Sequence, residues 1–370
     1  MTRSDPFEIF VSTAPGLEQP LRDEAFSCGF HNPRAVPGGV VLRGRWEHVW
    51  RANLRLRGAS RVLARLGSFR VLYLSQLEQQ AAGFPWSDTL RPDVSVRVDA
   101  TCRKSRINHA GAVQQRIETA LNARGIPTDP DADLRLLVRI ERDICTLSLD
   151  TSGEALHKRG HKQAVGKAPL RETMAALFLA QCGYVGQEPV LDPMCGSGTF
   201  VIEAAEIALG LAPGRARSFA FERLSTFDAA AFAALRDALP APRATDLAFY
   251  GSDRDAGAVD MARANGDRAG VGGITRFTCA PVTELQRPDG PPGLVMVNPP
   301  YGARIGNRKH LIGLHDQLGA RLGAEFRGWR VGLVTSDEGL ARATRLPFSA
   351  PGPHVAHGGL KIRLYQTGPL

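Results

Sequence analysis

Features that would direct the chain to a membrane or to a metal are missing from its sequence. No apolar run approaches the roughly 20 residues that a membrane-spanning helix needs. Residues 1–10 include Asp5 and Glu8 and lack the basic-then-apolar order of a signal peptide. The 6 cysteines are scattered without a Cys-x-x-Cys pair, which fits neither a zinc site nor a disulfide framework. We therefore expect a cytoplasmic protein with no bound metal and no membrane partner.

The composition is that of a globular protein with more than one domain. Hydrophobic residues make up 43% and charged residues 22% of the 370 residues, which is enough apolar material for a sizeable core. This length suggests two or three domains. No internal repeat is visible, and we expect a monomer.

The net charge of +9 is concentrated in the first half of the chain. Residues 1–170 hold 25 Lys and Arg against 18 Asp and Glu, and residues 43–70 contain eight arginines opposed only by Glu47. Such a surface attracts a polyanion, because each neutralised phosphate releases condensed counterions. The alternative is a solvated helical face followed by an arginine-studded strand, and the charge pattern alone leaves both open.

Hydrophobic periodicity predicts two regions of different character. Residues 1–152 mix short strands and helices and include a hairpin around Glu141–Asp143, which indicates small α+β modules. The predicted elements there are strands 7–12, 39–42, 61–70, 94–99, 133–140 and 144–150, and helices 16–28, 46–56, 77–82 and 109–124.

From residue 170 onward, strands and helices alternate in the manner of a doubly wound parallel sheet. A hairpin around His357-Gly358-Gly359 is predicted at the end, and residues 210–246 are interpreted as a surface insertion. The predicted elements are strands 190–192, 247–252, 274–279, 294–298 and 330–335, and helices 170–181, 199–209, 256–269 and 311–326.

A glycine-rich turn connects the first strand of this alternation to the following helix. It reads Asp192-Pro193-Met194-Cys195-Gly196-Ser197-Gly198-Thr199. The two glycines allow a tight turn and a close approach of backbone to ligand, and the N–H groups at the helix start can receive polar ligand atoms. Val201 stands where a dinucleotide fingerprint has its third glycine, and the Gly-Lys-Ser/Thr of a phosphate loop is absent. The turn therefore indicates another kind of ligand loop, with an ordinary tight turn as the alternative.

Asp253 follows the next strand, where an α/β sheet offers a carboxylate to ribose hydroxyls. Its alternative role is to cap the helix that begins near Ala256, which Asp255 can do instead.

The loop Asn298-Pro299-Pro300-Tyr301 ends a strand at the carboxyl edge of the predicted sheet, where ligands bind in such folds. An aryl amine is a poor nucleophile, because its lone pair is delocalised into the ring. Acceptance of its N–H groups by the Asn298 side-chain oxygen and the Pro299 carbonyl would favour the pyramidal nitrogen of the transition state. Tyr301 is placed to stack on a base. The alternative is a plain proline-rich turn.

These motifs resemble those of the THUMP-containing class I RNA guanine-N2 methyltransferases. The likeness lies in the glycine-rich turn followed by Glu203 and in the Asn-Pro-Pro-Tyr loop, which these enzymes share with adenine-N6 enzymes. It extends to residues 12–18, 153–160 and 168–173, and thus to almost the whole chain. It implies one α/β, Rossmann-like, seven-stranded methyltransferase domain, without the second methyltransferase half of some relatives. The implied division is a ferredoxin-like region 1–69, a THUMP RNA-binding domain 70–152, a linker 153–169 and the methyltransferase domain 170–370.

The resemblance also implies a cofactor, a partner and site residues. The methyl donor would be S-adenosylmethionine, with no metal, and the acceptor a guanine of structured RNA, namely 23S ribosomal RNA or a large-subunit precursor. Residues 192–199, Asp253 and Asn298 become the cofactor site, and residues 298–301 the acceptor site. The expected RNA contacts are Arg103, Lys104, Arg106, Lys158 and Arg159.

One position departs from the family pattern. Pro281 stands where the family usually has an acidic residue that contacts the cofactor adenine; Glu284, three residues on, is one candidate to replace it, and the contact stays open.

Several alternatives stay open at this point. Transfer RNA guanine and adenine N6 of a nucleic acid present the same exocyclic amine to the Asn-Pro-Pro-Tyr loop. A nicotinamide-dependent oxidoreductase would use the same type of sheet, but the missing third glycine and the proline loop count against it. A catalytically silent RNA-binding protein would be expected to have a damaged glycine turn, and this turn is intact.

Overall fold

The computed structural model describes residues 5–162, 170–300 and 308–370. By their internal contacts the residues divide into two compact units. Unit 1 comprises Met1–Thr13, Arg22–Leu156 and Gly214–Leu239, and unit 2 comprises Ala14–Leu21, His157–Pro213 and Pro240–Leu370.

Strands and helices are numbered here in chain order. The strands are β1 (Phe7–Ser12), β2 (Arg34–Val36), β3 (Gly39–Gly44), β4 (Arg61–Arg70), β5 (Val96–Arg103), β6 (Leu134–Glu141), β7 (Ile144–Asp150), β8 (Val190–Asp192), β9 (Phe249–Asp253), β10 (Thr275–Cys279), β11 (Leu294–Val297), β12 (Arg330–Thr335), β13 (Val355–His357) and β14 (Leu360–Gln366). The helices are α1 (Glu18–Ser27), α2 (Trp46–Arg55), α3 (Leu74–Gly83), α4 (Ala110–Asn122), α5 (Glu172–Gln181), α6 (Thr199–Leu209), α7 (Ala229–Asp237), α8 (Ala256–Ala269), α9 (Arg308–Glu325) and α10 (Glu338–Ala343).

Unit 1 is built on a seven-stranded sheet in the order β2-β3-β1-β4-β7-β6-β5. Alternate side chains of β6 are buried, because one face of the sheet forms the core and the other carries polar residues. The expected hairpin is confirmed, since β6 and β7 pair antiparallel. Strand β4 pairs with both β1 and β7, so a single sheet runs through residues 1–69 and 70–152. Their division into two domains stays a prediction.

The interpretation of residues 210–246 as a surface insertion is wrong for residues 214–239, which belong to unit 1. Phe219, Phe221 and Phe232 from this segment are buried, and each ring lies within 6.2 Å of at least one of the others. The Trp50 ring of α2 joins them at 6.2 Å from Phe232. The aromatic residues of this segment form part of the hydrophobic core of unit 1.

Unit 2 is built on the second seven-stranded sheet, in the order β10-β9-β8-β11-β12-β14-β13. Five neighbouring strands are parallel, β14 pairs antiparallel with β12, and β13 pairs antiparallel with β14 at the end of the sheet. All four residues of β11 are buried, as expected for a central strand with both faces covered. This confirms the predicted α/β class and the seven-stranded sheet. None of the helices in the described parts of the chain is long and apolar enough to cross a membrane.

This topology fixes where a ligand can bind. The chain order of the strands reverses between β8 and β11, and a crevice opens at the carboxyl ends of the strands at such a point. The glycine-rich turn follows β8 and the Asn-Pro-Pro loop follows β11. The two sequence motifs therefore meet at the same edge of one sheet.

Candidate cofactor and acceptor site

The glycine-rich turn is held in place by backbone hydrogen bonds to the neighbouring strand β9. The Cys195 N–H donates to the Ser252 carbonyl over 2.9 Å, and the Gly198 N–H donates to the Cys195 carbonyl over 2.8 Å. Asn265 of α8 donates its side-chain N–H to the Ser197 carbonyl over 3.1 Å. The turn is thus fixed from two sides before any ligand is present.

Both glycines adopt the left-handed backbone conformation, with φ of +50° at Gly196 and +86° at Gly198. A Cβ built on Gly198 would lie 3.1 Å from the Ala262 Cβ and 3.2 Å from carbons of Ile202 and Phe277, so this glycine serves close packing of helix on sheet. A Cβ on Gly196 would meet no atom of the described residues within 4 Å. The space beside Gly196 is open to a ligand.

Asp192 ends β8 beneath the turn and is 3% exposed. Burial raises the pKa of its carboxyl to about 8, with a further increase from the charge of Asp253 and a decrease from the Met194 N–H, which donates to Oδ1 over 3.0 Å. Asp192 therefore holds a proton near neutral pH and organises the turn from below.

Asp253 connects the turn to the next helix. Its Oδ2 accepts the Gly196 N–H over 3.0 Å, and its Oδ1 accepts the Asp255 N–H over 3.0 Å. Capping of α8 is performed by Asp255, which accepts the Gly257 N–H over 2.9 Å. Asp253 is therefore not needed as the cap, and its half-buried carboxylate lines the adjacent cavity.

A cavity of about 490 Å³ lies at the carboxyl ends of the strands in unit 2. The side-chain oxygen of Asn298 is buried and has no hydrogen-bond partner among the described residues. A buried amide oxygen without a partner costs free energy unless a ligand supplies the donor. Pro299 is buried, and Tyr301 lies outside the described residues. The predicted site residues that line the cavity are Pro193, Met194, Asp253, Asn298 and Pro300.

Sequence reasoning missed the opposite wall of the cavity. Lys309 and His310 lie in the first turn of α9 and are exposed, and Gln317 lies two turns further along the same helix. Leu311 and Leu314 supply apolar surface from the same helix. The available signal was that this helix is the next described element after the Asn-Pro-Pro loop, so its first turns are candidates to border whatever that loop binds.

The segment after β10 gives the cavity an apolar edge. Pro281, Val282 and Thr283 line it, whereas Glu284 lines a separate cavity of about 640 Å³. Glu284 does not line the cavity that Asp253 and Asn298 line, and the residue that contacts the adenine stays open. Thr283 is the polar side chain that this segment offers to the cavity.

The side chain of Lys162 stabilises the start of α6. Lys162 donates to the Thr199 hydroxyl over 2.8 Å and forms a 3.1 Å ion pair with Glu172 of α5, while both charged side chains are less than 10% exposed. The Thr199 hydroxyl is thus engaged within the protein. Residues 163–169, the rest of the predicted linker, lie outside the described residues.

The predicted RNA contact at Arg159 is wrong. Its side chain is 1% exposed and forms a 3.1 Å ion pair with Glu203, which is equally buried on α6. A guanidinium in this position cannot reach a phosphate. Lys158, by contrast, is exposed.

Much of the arginine-rich stretch 43–70 also has partners within unit 1. Arg61 is paired with Asp150, Arg65 lies 3.3 Å from Glu8, and the Arg51 guanidinium lies 4.3 Å from the centre of the Phe30 ring. These side chains therefore favour the alternative interpretation of the charge pattern, in which the arginines belong to a helix and a strand and do not form a polyanion-binding surface. Arg103, Lys104 and Arg106 are exposed.

Comparison with known proteins identifies the class of protein that this fold and site define. Residues 159–354 match the family described as UPF0020, RMKL-like methyltransferase domain, and residues 8–63 match the RlmL ferredoxin-like domain. The first match covers more than half of the chain, so the chain belongs to the RMKL-like methyltransferase family. The resemblance found from the motifs, to the group that includes RlmL, is confirmed.

Individual relatives agree with this family. The ribosomal RNA large subunit methyltransferase K/L of Psychromonas ingrahamii is 35% identical over 343 residues, which are 89% of this chain and 46% of that relative. The chain thus spans about half the length of this relative. SMU.472, a methyltransferase solved in complex with SAH, is 25% identical, covers 99% of both chains and superposes with a TM-score of 0.89. A protein from Listeria monocytogenes described as an N6-adenine-specific DNA methylase is 29% identical, with a TM-score of 0.86 and coverage of 99% and 97%.

Proposed function

We propose that this protein transfers a methyl group from S-adenosylmethionine to the exocyclic N2 amine of a guanine in RNA, with 23S ribosomal RNA as the acceptor. The observation that carries the proposal is the buried Asn298 oxygen after β11, which has no hydrogen-bond partner among the described residues, in a cavity that the Asp253 carboxylate also lines. The large-subunit ribosomal RNA methyltransferase among its relatives supports the choice of acceptor.

The residues of the cavity fit this methyl donor. The open space beside Gly196 admits a ligand, and Asp253 would accept hydrogen bonds from ribose hydroxyls. Pro281 and Val282 offer apolar surface to a purine ring, and Thr283 a hydroxyl to its edge. The SAH complex of SMU.472 supports the same assignment. When bound, the donor supplies an electrophilic methyl group on a sulfonium.

The acceptor amine would be oriented by Asn298. Its side-chain oxygen accepts an N–H of the amine, which holds the nitrogen lone pair out of conjugation as the nitrogen becomes pyramidal. Because this oxygen has no partner among the described residues, it does not need to break a hydrogen bond first. The amine proton becomes acidic only after methylation, so no general base is required beforehand. Tyr301 would stack on the base.

Residues 70–152 would act as the RNA-binding THUMP domain. Within them Arg103, Lys104 and Arg106 stay predicted RNA contacts, and so does Lys158 of the linker. A second acceptor, the N6 amine of adenine, is favoured by the description of the Listeria neighbour as an adenine methylase. The two acceptors differ in the base but not in the chemistry of the amine.

The proposal is tested by incubating the protein with radiolabelled S-adenosylmethionine and hypomethylated large-subunit ribosomal RNA, followed by nucleoside analysis. Label in N2-methylguanosine is the expected result. Label in N6-methyladenosine alone would refute the guanine assignment, and absence of label from RNA would refute RNA methylation.

Variants of two asparagines separate the role of Asn298 from general damage. Asn298→Ala should abolish turnover while cofactor affinity changes little, since this oxygen is assigned to the acceptor amine. Asn122→Ala removes an exposed amide in unit 1, paired with Thr128, and should leave both quantities unchanged. Loss of cofactor binding with turnover intact in Asn298→Ala would contradict the assigned role.

A further inference from the structure

One end of the sheet in unit 1 carries an exposed cluster of positive charge. We define the basic tip as five residues at the end of β4, after β5 and in the β6–β7 turn: Arg70, Arg103, Lys104, Arg106 and Arg142. All five are exposed, and within residues 5–162, 170–300 and 308–370 none of them has an ion-pair partner. Most other arginines of unit 1 described above are paired, so this group stands apart.

Sheet register brings these separate stretches of chain together. Arg70 is the Cα partner of Ile144, and Arg103 is the Cα partner of Glu141. The Arg142 N–H donates to the Arg103 carbonyl over 3.3 Å. Positions far apart in sequence are therefore neighbours at one end of the sheet.

Hydrogen bonds of Asp143 connect the β6–β7 turn to the segments that follow β4 and β5. Its Oδ1 accepts the Arg106 N–H over 2.8 Å, its N–H donates to the Ser105 hydroxyl over 3.1 Å, and its carbonyl accepts the Val71 N–H over 2.9 Å. Glu141, the other carboxylate of this turn, is paired with Arg139 over 2.5 Å. Glu141 is thus neutralised by Arg139, whereas Asp143 bonds among the described residues only to backbone N–H and hydroxyl groups and keeps its negative charge, so the basic tip has five cations against one carboxylate.

The backbone at the basic tip is also unusual. Lys104 and Arg142 have φ of +49° and +52°, in the left-handed region that glycine and asparagine adopt more readily than other residues. Strained turns of this kind cluster at binding sites, where the surrounding structure holds them in place.

Exposed apolar surface accompanies the charge. The Tyr73 ring follows the end of β4 and is 57% exposed, and Ile144 beside Arg70 is 41% exposed. Protein surfaces that bind unpaired RNA combine cations for phosphates with rings on which bases stack. An acidic protein partner would form ion pairs with the cations, but its binding would not require an exposed aromatic ring beside them.

We infer that the basic tip is an RNA-docking surface, in which Asp143 positions the cations against backbone phosphates and Tyr73 offers a stacking surface for an unpaired base. This inference rests on the proposed action on RNA and adds to it a place of contact outside the methyl-transfer cavity. Arg70, Tyr73 and Arg142 join the three contacts predicted from the sequence, and Asp143 is a positioning residue.

The test compares two triple variants of the full chain with equal loss of charge. The first, R103Q/K104Q/R142Q, removes cations of the basic tip. The control, R91Q/R116Q/R223Q, removes three exposed arginines of unit 1 that already pair with Asp93, Glu78 and Asp133. Binding of a structured large-subunit ribosomal RNA transcript is measured across salt concentrations, with thermal unfolding as a check on folding.

The tip variant should lower the slope of log affinity against log salt by roughly 2 to 3 and weaken binding at physiological salt at least about tenfold. Its kcat at saturating RNA should be unchanged while KM rises in proportion to Kd. The control should stay within about twofold of the parent protein. Tyr73→Ala should weaken binding to unpaired RNA more than to duplex RNA.

The outcomes separate this inference from the proposed function. If RNA is methylated and the tip variant binds like the control, the docking surface is refuted and the function stands. If no RNA is methylated while binding depends on the basic tip, the function is refuted and the docking surface stands. Absence of RNA binding by the parent protein, or stronger binding of duplex DNA than of RNA, would refute the docking surface.

Discussion

Replacement of Gly196 by alanine tests whether the open space beside the glycine-rich turn is where the cofactor lies. A methyl group at this position meets no described atom within 4 Å, so the folded protein loses only the cost of a left-handed backbone. That cost is about 1–2 kcal/mol for a residue other than glycine. A ligand that fills the same space would be displaced, and we expect at least about a tenfold loss of cofactor affinity, about 1.4 kcal/mol.

Two other glycines of unit 2 provide matched comparisons. Gly270 ends α8 with φ of +78° and open space around it, so Gly270→Ala should lose similar stability without any change in cofactor affinity. Gly198→Ala adds close contacts at 3.1–3.2 Å to the left-handed backbone. Its loss of stability should therefore be larger, about 2–4 kcal/mol.

Calorimetric titration with S-adenosylmethionine and unfolding in urea measure the two quantities separately. The expected order of stability loss is Gly198→Ala above Gly196→Ala, with Gly270→Ala equal to the latter. Only Gly196→Ala should lose cofactor affinity out of proportion to its stability. If Gly196→Ala binds the cofactor as well as Gly270→Ala does, the open space is not the ligand site and the reasoning fails.

Three further predictions concern charged groups. Burial raises the pKa of Asp192 from 3.8 to about 8, so between these pH values the native state keeps a proton that the unfolded chain has lost. The free energy of unfolding should therefore fall as pH rises from about 4 towards about 8. Asp192→Asn should remove this pH dependence in urea titrations. Arg159→Leu removes the ion pair of the buried Glu203 carboxylate and should cost about 3–5 kcal/mol, with much of it recovered in the Arg159→Leu/Glu203→Leu double variant. Asp143→Ala and Asp143→Asn remove the same negative charge, but only Asp143→Asn keeps an acceptor oxygen for the Arg106 N–H, so Asp143→Ala should bind RNA more weakly than Asp143→Asn.

Each of these has a contradicting result. Equal pH dependence in Asp192→Asn would assign the slope to another group. An RNA affinity that falls in Arg159→Leu, at unchanged stability, would return Arg159 to the RNA contacts. Equal RNA binding by Asp143→Ala and Asp143→Asn would show that the turn does not depend on the hydrogen bond of Asp143.

Sequence periodicity located most elements of the methyltransferase sheet. Helices Thr199–Leu209 and Ala256–Ala269 and strand Arg330–Thr335 have the predicted bounds, because each is marked by strong local signals such as the Asp255 cap and Gly270 at the helix end. Helix α10 was not predicted, since six residues are too few to show a helical period. Segment 214–239 was misjudged because it is rich in alanine and arginine, and because Phe219, Phe221, Phe227 and Phe232 are irregularly spaced and pack together only in three dimensions.

The sequence identified the glycine-rich turn and the Asn-Pro-Pro loop of the candidate site, but it did not identify the wall that helix α9 contributes. A strand followed by a glycine-rich turn, and another followed by Asn298, must place both motifs at the carboxyl edge of a parallel sheet. The wall formed by Lys309, His310 and Gln317 depends on how α9 lies over that edge. No residue spacing reports the direction in which a helix crosses a sheet.

The sequence by itself determined the class of fold and the presence of two ligand motifs at strand ends, because both are recorded in local periodicity and in short turn-forming segments. Only the tertiary structure decided which basic residues are available to a polyanion. Arg159 finds Glu203 44 residues away and Arg61 finds Asp150 89 residues away, while the basic tip finds no carboxylate partner among the described residues. The physical reason is that an ion pair is a contact between distant parts of the chain, whereas a charge pattern counts only neighbours.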